Sequence, residues 1–458
     1  YTLEALTLYT NAADQNRGLQ VTSTNSTYTG VLPANGVPLT VPQFQVPVSQ
    51  QALFALSNTA NVAAFNPNLR TPYVQQWSLG VERALWWGVV AEARYVANHG
   101  VKLIRGVDLN EVNIVENGFL ADFQRAAANL GINRAAGVIS FANLGRPGQQ
   151  NLPVLDAIFG GSNTAFHRNS TFISNIDSGQ AGVFANSLRL TPGSYPGLAT
   201  LPANLLVVNP HANSAYLIDN GSFSTYNALQ LELRRRFARG PFLSANYTWS
   251  KMLTDFEGST SEISPLTTLR NFRLDKRRAS QDITHVFNLN AIYELPFGKG
   301  HRWLNNAPEA LRRFVEGWNI STITRISAAS ALSITSGLGT FNQRTGLTTI
   351  VLPASMSFEQ LQGAVGIYRT GGGVFLLNPA SGLFRPTFGP TGLVTRSDAD
   401  LTRLQDPPAG SLGALPLGAL RAPLTYNVNL GLFKRTPISE RVNFELRAEL
   451  ITPNWVLE

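Results

Sequence analysis

The chain has 458 residues, of which 44% are hydrophobic and only 14% charged, with a formal net charge of +8 and no cysteine. Soluble domains carry about 25% charged residues, so this charge deficit without a hydrophobic surplus points to a wet surface built from Asn, Ser, Thr and Gln. Disulfides and cysteine-ligated metals are excluded. No run approaches the ~18 apolar residues of a membrane helix, which leaves strand-type membrane spans open.

Residues 1–72 are expected to hold one strand, Tyr1 to Tyr9, and then an extended extracellular loop punctuated by Pro33, Pro38, Pro42 and Pro47. The start, Tyr1-Thr-Leu-Glu-Ala-Leu, lacks the basic lead and apolar core of a signal peptide. The expectation is a piece of a longer exported protein. From Tyr73 a period of two sets in. Tyr73, Trp77, Leu79 and Val81 oppose Gln76, Ser78 and Glu82; after the turn Ala84–Gly88, Val89, Ala91, Ala93 and Tyr95 oppose Glu92, Arg94 and Asn98. Successive strand side chains point to opposite faces, so 73–98 reads as a hairpin with one dry and one wet face. Residues 99–223 show no comparable pair. A short helix over Phe119 to Leu130 and a short strand over Leu205 to Val208 are expected within one long loop, and loops of this length are commonly functional.

The clearest alternation lies in 224–251. Leu229, Leu231 and Leu233 alternate with Gln230, Glu232 and Arg234. After a turn at Ala238-Arg-Gly-Pro241, Leu243, Ala245, Tyr247 and Trp249 alternate with Ser244, Asn246, Thr248 and Ser250. A polar loop, 252–284, follows. The next hairpin, 285–327, sets Phe287, Leu289, Ala291, Tyr293 and Leu295 against Asn288, Asn290 and Glu294, then Trp318 and Ile320 against Asn319, Ser321 and Arg325, with a helical turn expected between Pro308 and Glu316. Residues 328–423 read as a long loop with a short strand pair near Gly366 to Leu377. In the last hairpin, 424–450, Tyr426, Val428, Leu430 and Leu432 precede a turn at Pro437-Ile-Ser-Glu440, and Val442, Phe444, Leu446 and Ala448 follow opposite Asn443, Glu445, Arg447 and Glu449. Residues 451–458 read as a truncated end.

Such a pattern fits either a soluble sheet on a core or a membrane barrel with lipid outside and water inside. Connection lengths decide between them. The hairpins turn at 84–88, 237–241, 296–317 and 435–441, whereas 99–223, 252–284 and 328–423 are long. Alternating strand direction then puts every short turn at one end and every long loop at the other, the arrangement of periplasmic turns and extracellular loops. Aromatics follow suit. Trp86, Trp87, Phe237, Phe242, Phe297 and Trp318 fall near the short-turn end, and Tyr73, Trp77, Tyr95, Tyr247, Trp249 and Tyr426 toward the long-loop end, as interfacial girdles would. The expected lumen-facing polar residues are Glu92, Arg94, Gln230, Glu232, Arg234, Asn246, Asn290, Glu294, Arg325, Glu445 and Arg447, with the carboxylates paired to the arginines.

Several motifs point further. Asn66-Pro-Asn-Leu-Arg-Thr-Pro-Tyr-Val-Gln-Gln-Trp-Ser78, Ser224-Thr-Tyr-Asn-Ala-Leu-Gln-Leu231, Ala245-Asn-Tyr-Thr-Trp-Ser-Lys251 and His285-Val-Phe-Asn-Leu-Asn290 resemble the TonB-dependent receptor superfamily, as do Tyr293-Glu-Leu-Pro-Phe-Gly-Lys-Gly300 and Phe433-Lys-Arg-Thr-Pro-Ile-Ser-Glu-Arg441. They look like its Oar-like branch, whose members carry an N-terminal carboxypeptidase-regulatory-like domain. The resemblance implies a barrel of about 22 strands with an internal plug, energised by the TonB complex and importing a large or scarce ligand. The fold expected is thus all-β: an antiparallel transmembrane β-barrel, present as the C-terminal strands of a larger one, with long extracellular loops, in a bacterial outer membrane. The plug, the TonB-contacting segment and the closing strands have no counterpart in these residues, so partner chains or other segments are expected to complete the barrel. Expected partners are outer-membrane lipid and lipopolysaccharide, the TonB complex through N-terminal segments, an unidentified ligand and chains that contact the loops, but not nucleic acid. The rival expectation is a structural or adhesive surface protein acting through its loops without transport.

No enzyme chemistry is expected. The histidines His99, His167, His211, His285 and His301 lack ligand spacing and read as loop or interface residues, so no metal is expected. Gly371-Gly-Gly373 lacks the strand–glycine–helix context of a phosphate loop, no Gly-x-Ser-x-Gly elbow occurs, and no cofactor is expected. Arg234-Arg-Arg236 with Arg239 reads as a periplasmic basic rim. Lys276-Arg-Arg278, at the long-loop end, reads as a solvated loop or as a contact for lipopolysaccharide phosphates.

Overall fold

Side chains that alternate dry and wet commit a strand to a two-faced sheet, while its backbone groups demand hydrogen-bonding neighbours on both sides. The computed structural model describes residues 61–235, 242–256, 266–345, 347–352, 356–370, 373–378, 387–388, 394–395, 404–439, 442–452 and 455–456. The expected strand at Tyr1 to Tyr9 and the turn at 237–241 lie outside these residues.

The strands are β1 (Val62–Phe65), β2 (Tyr73–Ala84), β3 (Val89–Asp108), β4 (Ala215–Arg235), β5 (Phe242–Thr254), β6 (Arg277–Arg278), β7 (His285–Glu294) and β8 (Trp318–Ser327). They continue with β9 (Ala331–Leu332), β10 (Val365–Thr370), β11 (Gly373–Leu377), β12 (Thr387–Phe388), β13 (Val394–Thr395), β14 (Leu420–Arg421), β15 (Thr425–Ser439), β16 (Val442–Leu450) and β17 (Trp455–Val456). The main sheet runs β2-β3-β4-β5-β7-β8-β15-β16 with every neighbouring pair antiparallel. It therefore meanders in chain order, as an up-and-down barrel wall does. Among the described residues the sheet is open, with β2 and β16 at its edges. The expected loop before Tyr73 contains β1, which pairs in parallel with β4, Val62 opposite Ala215. The last turn falls later than expected, because β15 carries on through Pro437 to Ser439.

The expected boundary at His99 is also corrected. β3 has 20 residues and β4 has 21, which at ~3.3 Å per residue makes each about 65 Å long, well over the ~25 Å of a barrel's apolar band. Each strand is thus much longer than one such band requires. Pairing slips between Gly100 and Arg105, where Lys102 takes the left-handed φ of 56°. Such a bulge bends the pair and re-aims its side chains, and here it falls where the dry face ends.

Between these projecting strands the chain does not form the irregular loop expected. It folds into α1 (Phe119–Ala135), α2 (Pro153–Phe159), α3 (Ser170–Asp177) and α4 (Ala181–Leu190) around a core of their own. Phe184 sits at its centre, stacked on Phe172 at 4.5 Å between ring centroids and edge-on to Phe119, Phe123 and Phe141. Each fully buried side chain of this kind contributes about 1.5–3 kcal/mol. Caps set the ends: Asp122 of α1 accepts the Val154 and Leu155 amides that open α2, and Asn169 caps α3, each satisfying donors no helical carbonyl can reach. Leu205 to Val208 is not a strand; Leu206 and Val207 pack into this core instead. Two further helices, α5 (Glu309–Val315) and α6 (Phe358–Gly363), occupy the β7–β8 connection and the loop after β9.

Candidate functional site

Residues directly opposite in a ladder share a face, so register assigns every side chain of the sheet. One rung runs Glu82, Glu92, Glu232, Asn246, Asn288, Arg325, Asn427 across seven strands. The next rung toward the long loops holds Arg94, Gln230 and Thr248, and the next toward the short turns holds Arg234, Ser244 and Asn290. Glu294 lies opposite Asn319, Arg447 opposite Phe433 and Glu445 opposite Arg435, on the same face. All the polar candidates named from the sequence therefore line one wall.

The charges on that wall are only partly paired as expected. Arg94 bonds Glu92, Arg234 reaches Glu82 at 2.8 Å, and Arg447 lies 3.4 Å from Glu449 and 3.8 Å from Glu445. Arg325 instead lies between Asn288 and Asn427 in the register, and Glu294 is 4.0 Å from His301. Asn288 donates to Asn246 at 2.8 Å. A shallow cavity of about 240 Å³ opens on the wall among Glu92, Arg94, Gln230, Glu232, Asn246 and Thr248.

The opposite face is dry and exposed. One rung holds Leu79, Tyr95, Leu229 and Trp249, and another aligns Tyr247, Phe287, Ile326 and Tyr426. Trp77 lies one step farther toward the long loops. At the other end Trp86 is exposed in the β2–β3 turn and Trp318 lies opposite Lys434; the Trp87 side chain lies outside the described set. Leu79, Val81, Leu231 and Leu233 stand 40–74% exposed between the ends, a cost in water that disappears in lipid.

Above the wall the long loops knit into one cap. Arg344, from the loop after β9, donates to the carbonyls of Leu266 and Asp108 and lies 3.6 Å from Glu111. Glu111 also accepts from Thr268 at 2.8 Å and Asn342 at 3.1 Å. Arg105, at the outer end of β3, donates to the Asp255 carbonyl at 2.8 Å and lies 3.9 Å from both the Asp255 and Asp275 carboxylates. Burial pushes the Asp275 carboxyl up, against the Thr267 amide and Arg105, which pull it down. Burying such charges is costly unless each is paired and hydrogen-bonded, and here Glu111, Asp275 and the terminal nitrogens of Arg344 have partners. On the cap surface Arg270 clasps Glu116, and that bond holds the Glu116 carboxyl down at about 2.

The sequence gives no warning of these cap residues, since Arg344 and Asp108 are 236 positions apart and neither stands in a motif. Lys276 to Arg278 is not a merely solvated loop, because Arg278 pairs with Asp282 at 2.8 Å, Lys276 sits 5.8 Å above the Phe223 ring, and Arg277 and Arg278 pair with β5. His167, expected in a loop or interface, is fully buried. One ring nitrogen accepts the Thr164 amide and the other bonds Asp156 at 3.0 Å. Desolvation pushes this imidazole below its usual range despite the nearby carboxylate. His285 lies on the dry face, bonded to the Tyr247 hydroxyl at 2.7 Å.

In shape the chain is similar to the outer membrane transporter YddB from Escherichia coli, with 7% sequence identity, a TM-score of 0.29, and coverage of 83% of this chain and 30% of that one. The chain thus spans under a third of that transporter's length. No curated protein matches the sequence. The family model described as outer membrane beta barrel domain matches residues 2–452. An open antiparallel wall, wet on one face and dry on the other, is what a part of such a barrel requires, and the chain belongs to the outer membrane beta barrel domain family.

Proposed function

We propose that this chain is the C-terminal part of a TonB-dependent, Oar-like outer-membrane receptor that takes up a ligand at the expense of inner-membrane energy. The observation that carries the reading is the stacking of the interlocked cap, held by Arg344 and Arg105, on the outer end of the polar wall. A cap of this kind supplies a recognition surface, and the wall beneath supplies a water-compatible path lined by Glu92, Arg94, Glu232 and Asn246. The sequence motifs support the TonB-dependent assignment, and family membership supports the outer membrane. In this reading the long loops face the outside, the short connections face the periplasm, the TonB complex engages segments beyond this chain, and no catalysis occurs.

A second reading, a surface protein used for adhesion or assembly, is favoured by the self-contained phenylalanine core of the cap, which presents Ile139 and Val208 to solvent. One experiment separates the two. Depletion of small molecules and peptides from the medium is compared between wild-type cells, cells lacking the full-length protein and cells lacking the TonB complex. A compound consumed only by the wild type supports uptake. If no compound differs and surface assembly fails instead, the transport reading is overturned.

A further inference from the structure

The β7–β8 connection does not hang into solvent below the sheet; it folds back onto the dry face. Trp318 Nε1 donates to the Phe314 carbonyl at 2.9 Å, and Lys434, on the dry face of β15, donates to the carbonyls of Arg313 and Glu316 at 2.7 and 2.6 Å. These bonds pin α5 against the wall. Between them lies an apolar cavity of about 320 Å³, with Leu295, Trp318 and Leu432 of the wall on one side and Phe297, Leu304 and Phe314 of the connection on the other. Its outer rim stays apolar too, with Phe314 69% and Trp303 50% exposed.

The connection that forms one side of this cleft is also charged. The connection 296–317 carries Lys299, Arg302, Arg312 and Arg313 against Glu309 and Glu316. The two carboxylates pair with Arg313 and Arg312. That leaves the exposed Lys299 and Arg302 with no ion pair among the described residues. An apolar slot on the dry wall, flanked in sequence by two exposed cations of the same connection, matches one kind of molecule: an acyl chain joined to an anionic headgroup.

We propose that this cleft is a binding site for an anionic phospholipid, with an acyl chain between Trp318, Leu432 and Phe314 and the headgroup phosphate beside Lys299 and Arg302. The choice of a phospholipid over lipid A rests on the proposed orientation, which puts the short connections at the periplasmic leaflet; cysteine labelling tests that orientation separately. The lipid would anchor the β7–β8 connection and fix the depth of the wall in the bilayer.

The test reconstitutes the full-length protein in phosphatidylcholine vesicles that contain, in parallel, equal amounts of brominated phosphatidylglycerol or brominated phosphatidylcholine. Quenching of Trp318 is read as the difference between the wild type and Trp318→Phe. Each basic residue near an anionic headgroup strengthens association roughly fivefold, so the two together are expected to make the brominated phosphatidylglycerol associate roughly 25-fold more strongly. Lys299→Gln with Arg302→Gln should abolish that preference and leave quenching by brominated phosphatidylcholine unchanged. Both side chains are exposed, so the wall should still assemble, and the heat-dependent gel shift of the variant checks that it does. Equal quenching by both lipids in the wild type would overturn the proposal, since the cleft would then be ordinary lipid-facing wall. Relief of quenching by unbrominated lipid A and not by unbrominated phosphatidylglycerol would overturn it as well.

Discussion

Arg344 donates from Nη2 to the carbonyl oxygen of Asp108 at 2.7 Å, joining the loop after β9 to the tip of β3 across 236 positions of sequence. Both side chains are buried, and the same guanidinium faces the Asp108 and Glu111 carboxylates. Loops from three parts of the chain therefore meet at one cation. Replacing it by alanine strands two buried carboxylates, a change that costs about 3–5 kcal/mol. Arg344→Ala is expected to raise hydrogen exchange across 266–275 and 336–345 while strands β4 and β5 keep their protection. Uniform exchange across cap and wall would show that the cap is not a separate cooperative unit.

The helical part of the cap depends on Phe184 in a comparable way. Truncating a large buried aromatic costs about 3–5 kcal/mol, and this ring touches four others. Phe184→Ala should make residues 109–213 sensitive to brief proteolysis, with cuts inside the cap and an intact wall. A cap as resistant as the wild type would show that the other phenylalanines suffice.

Acid should loosen the same unit through His167. Its buried imidazole binds a proton less readily folded than unfolded, so the unfolded chain takes up more protons as pH falls through the usual histidine value of about 6.5. The contribution to stability is complete above that value and declines as pH drops below it, until the folded imidazole also protonates. Amide exchange in α2 and α3, corrected for intrinsic rate, should accelerate between neutral and mildly acidic pH. His167→Gln should flatten the profile.

On the wall the two faces should respond oppositely to the same kind of change. Leu231 lies on the dry face of β4 between Leu229 and Leu233, and arginine at a bilayer-facing site costs about 2–4 kcal/mol near the midplane. Leu231→Arg is expected to lower the unfolding free energy of the full-length protein in lipid vesicles by that amount, read as a fall in its urea midpoint at unchanged slope. Glu232→Gln, one residue away on the wet face, should leave the midpoint almost unchanged. Similar effects from both would contradict the facing assigned by the register.

Orientation has a direct chemical test, since the chain contains no cysteine. With a membrane-impermeant maleimide on intact cells, Ser162→Cys in the cap should react and Asn306→Cys in the β7–β8 connection should react only after the outer membrane is opened. The reverse pattern would invert the wall.

The strands were legible because a wall with one dry and one polar face repeats one local rule along every strand. Gln230, Glu232 and Arg234 alternate with Leu229, Leu231 and Leu233, so even a single hairpin discloses both faces. Helix α1 was legible at its start for a similar reason, as a long run with apolar residues at helical spacing. The expected end at Leu130 fell short of Ala135; the last turn opens with Gly131 and turns Asn133 into a buried network. Helices α2 to α4 have 7, 8 and 10 residues. Runs that short barely complete the pattern of a turn, and glycines and asparagines between them imitate a loop.

What the sequence determined by itself is the two-faced wall: which residues share the dry face, which share the polar face, and at which end the connections are short. Those properties follow from the period of two and from residues adjacent in the chain. What only the tertiary structure decided is everything that depends on distant segments meeting. The outer halves of β3 and β4 pair beyond the dry band, Phe172 and Phe184 join in a core above it, and Arg344 finds Asp108 and Glu111 from more than 230 residues away. No spacing in the sequence encodes such contacts, because a buried ion pair forms wherever the folded backbone carries its members.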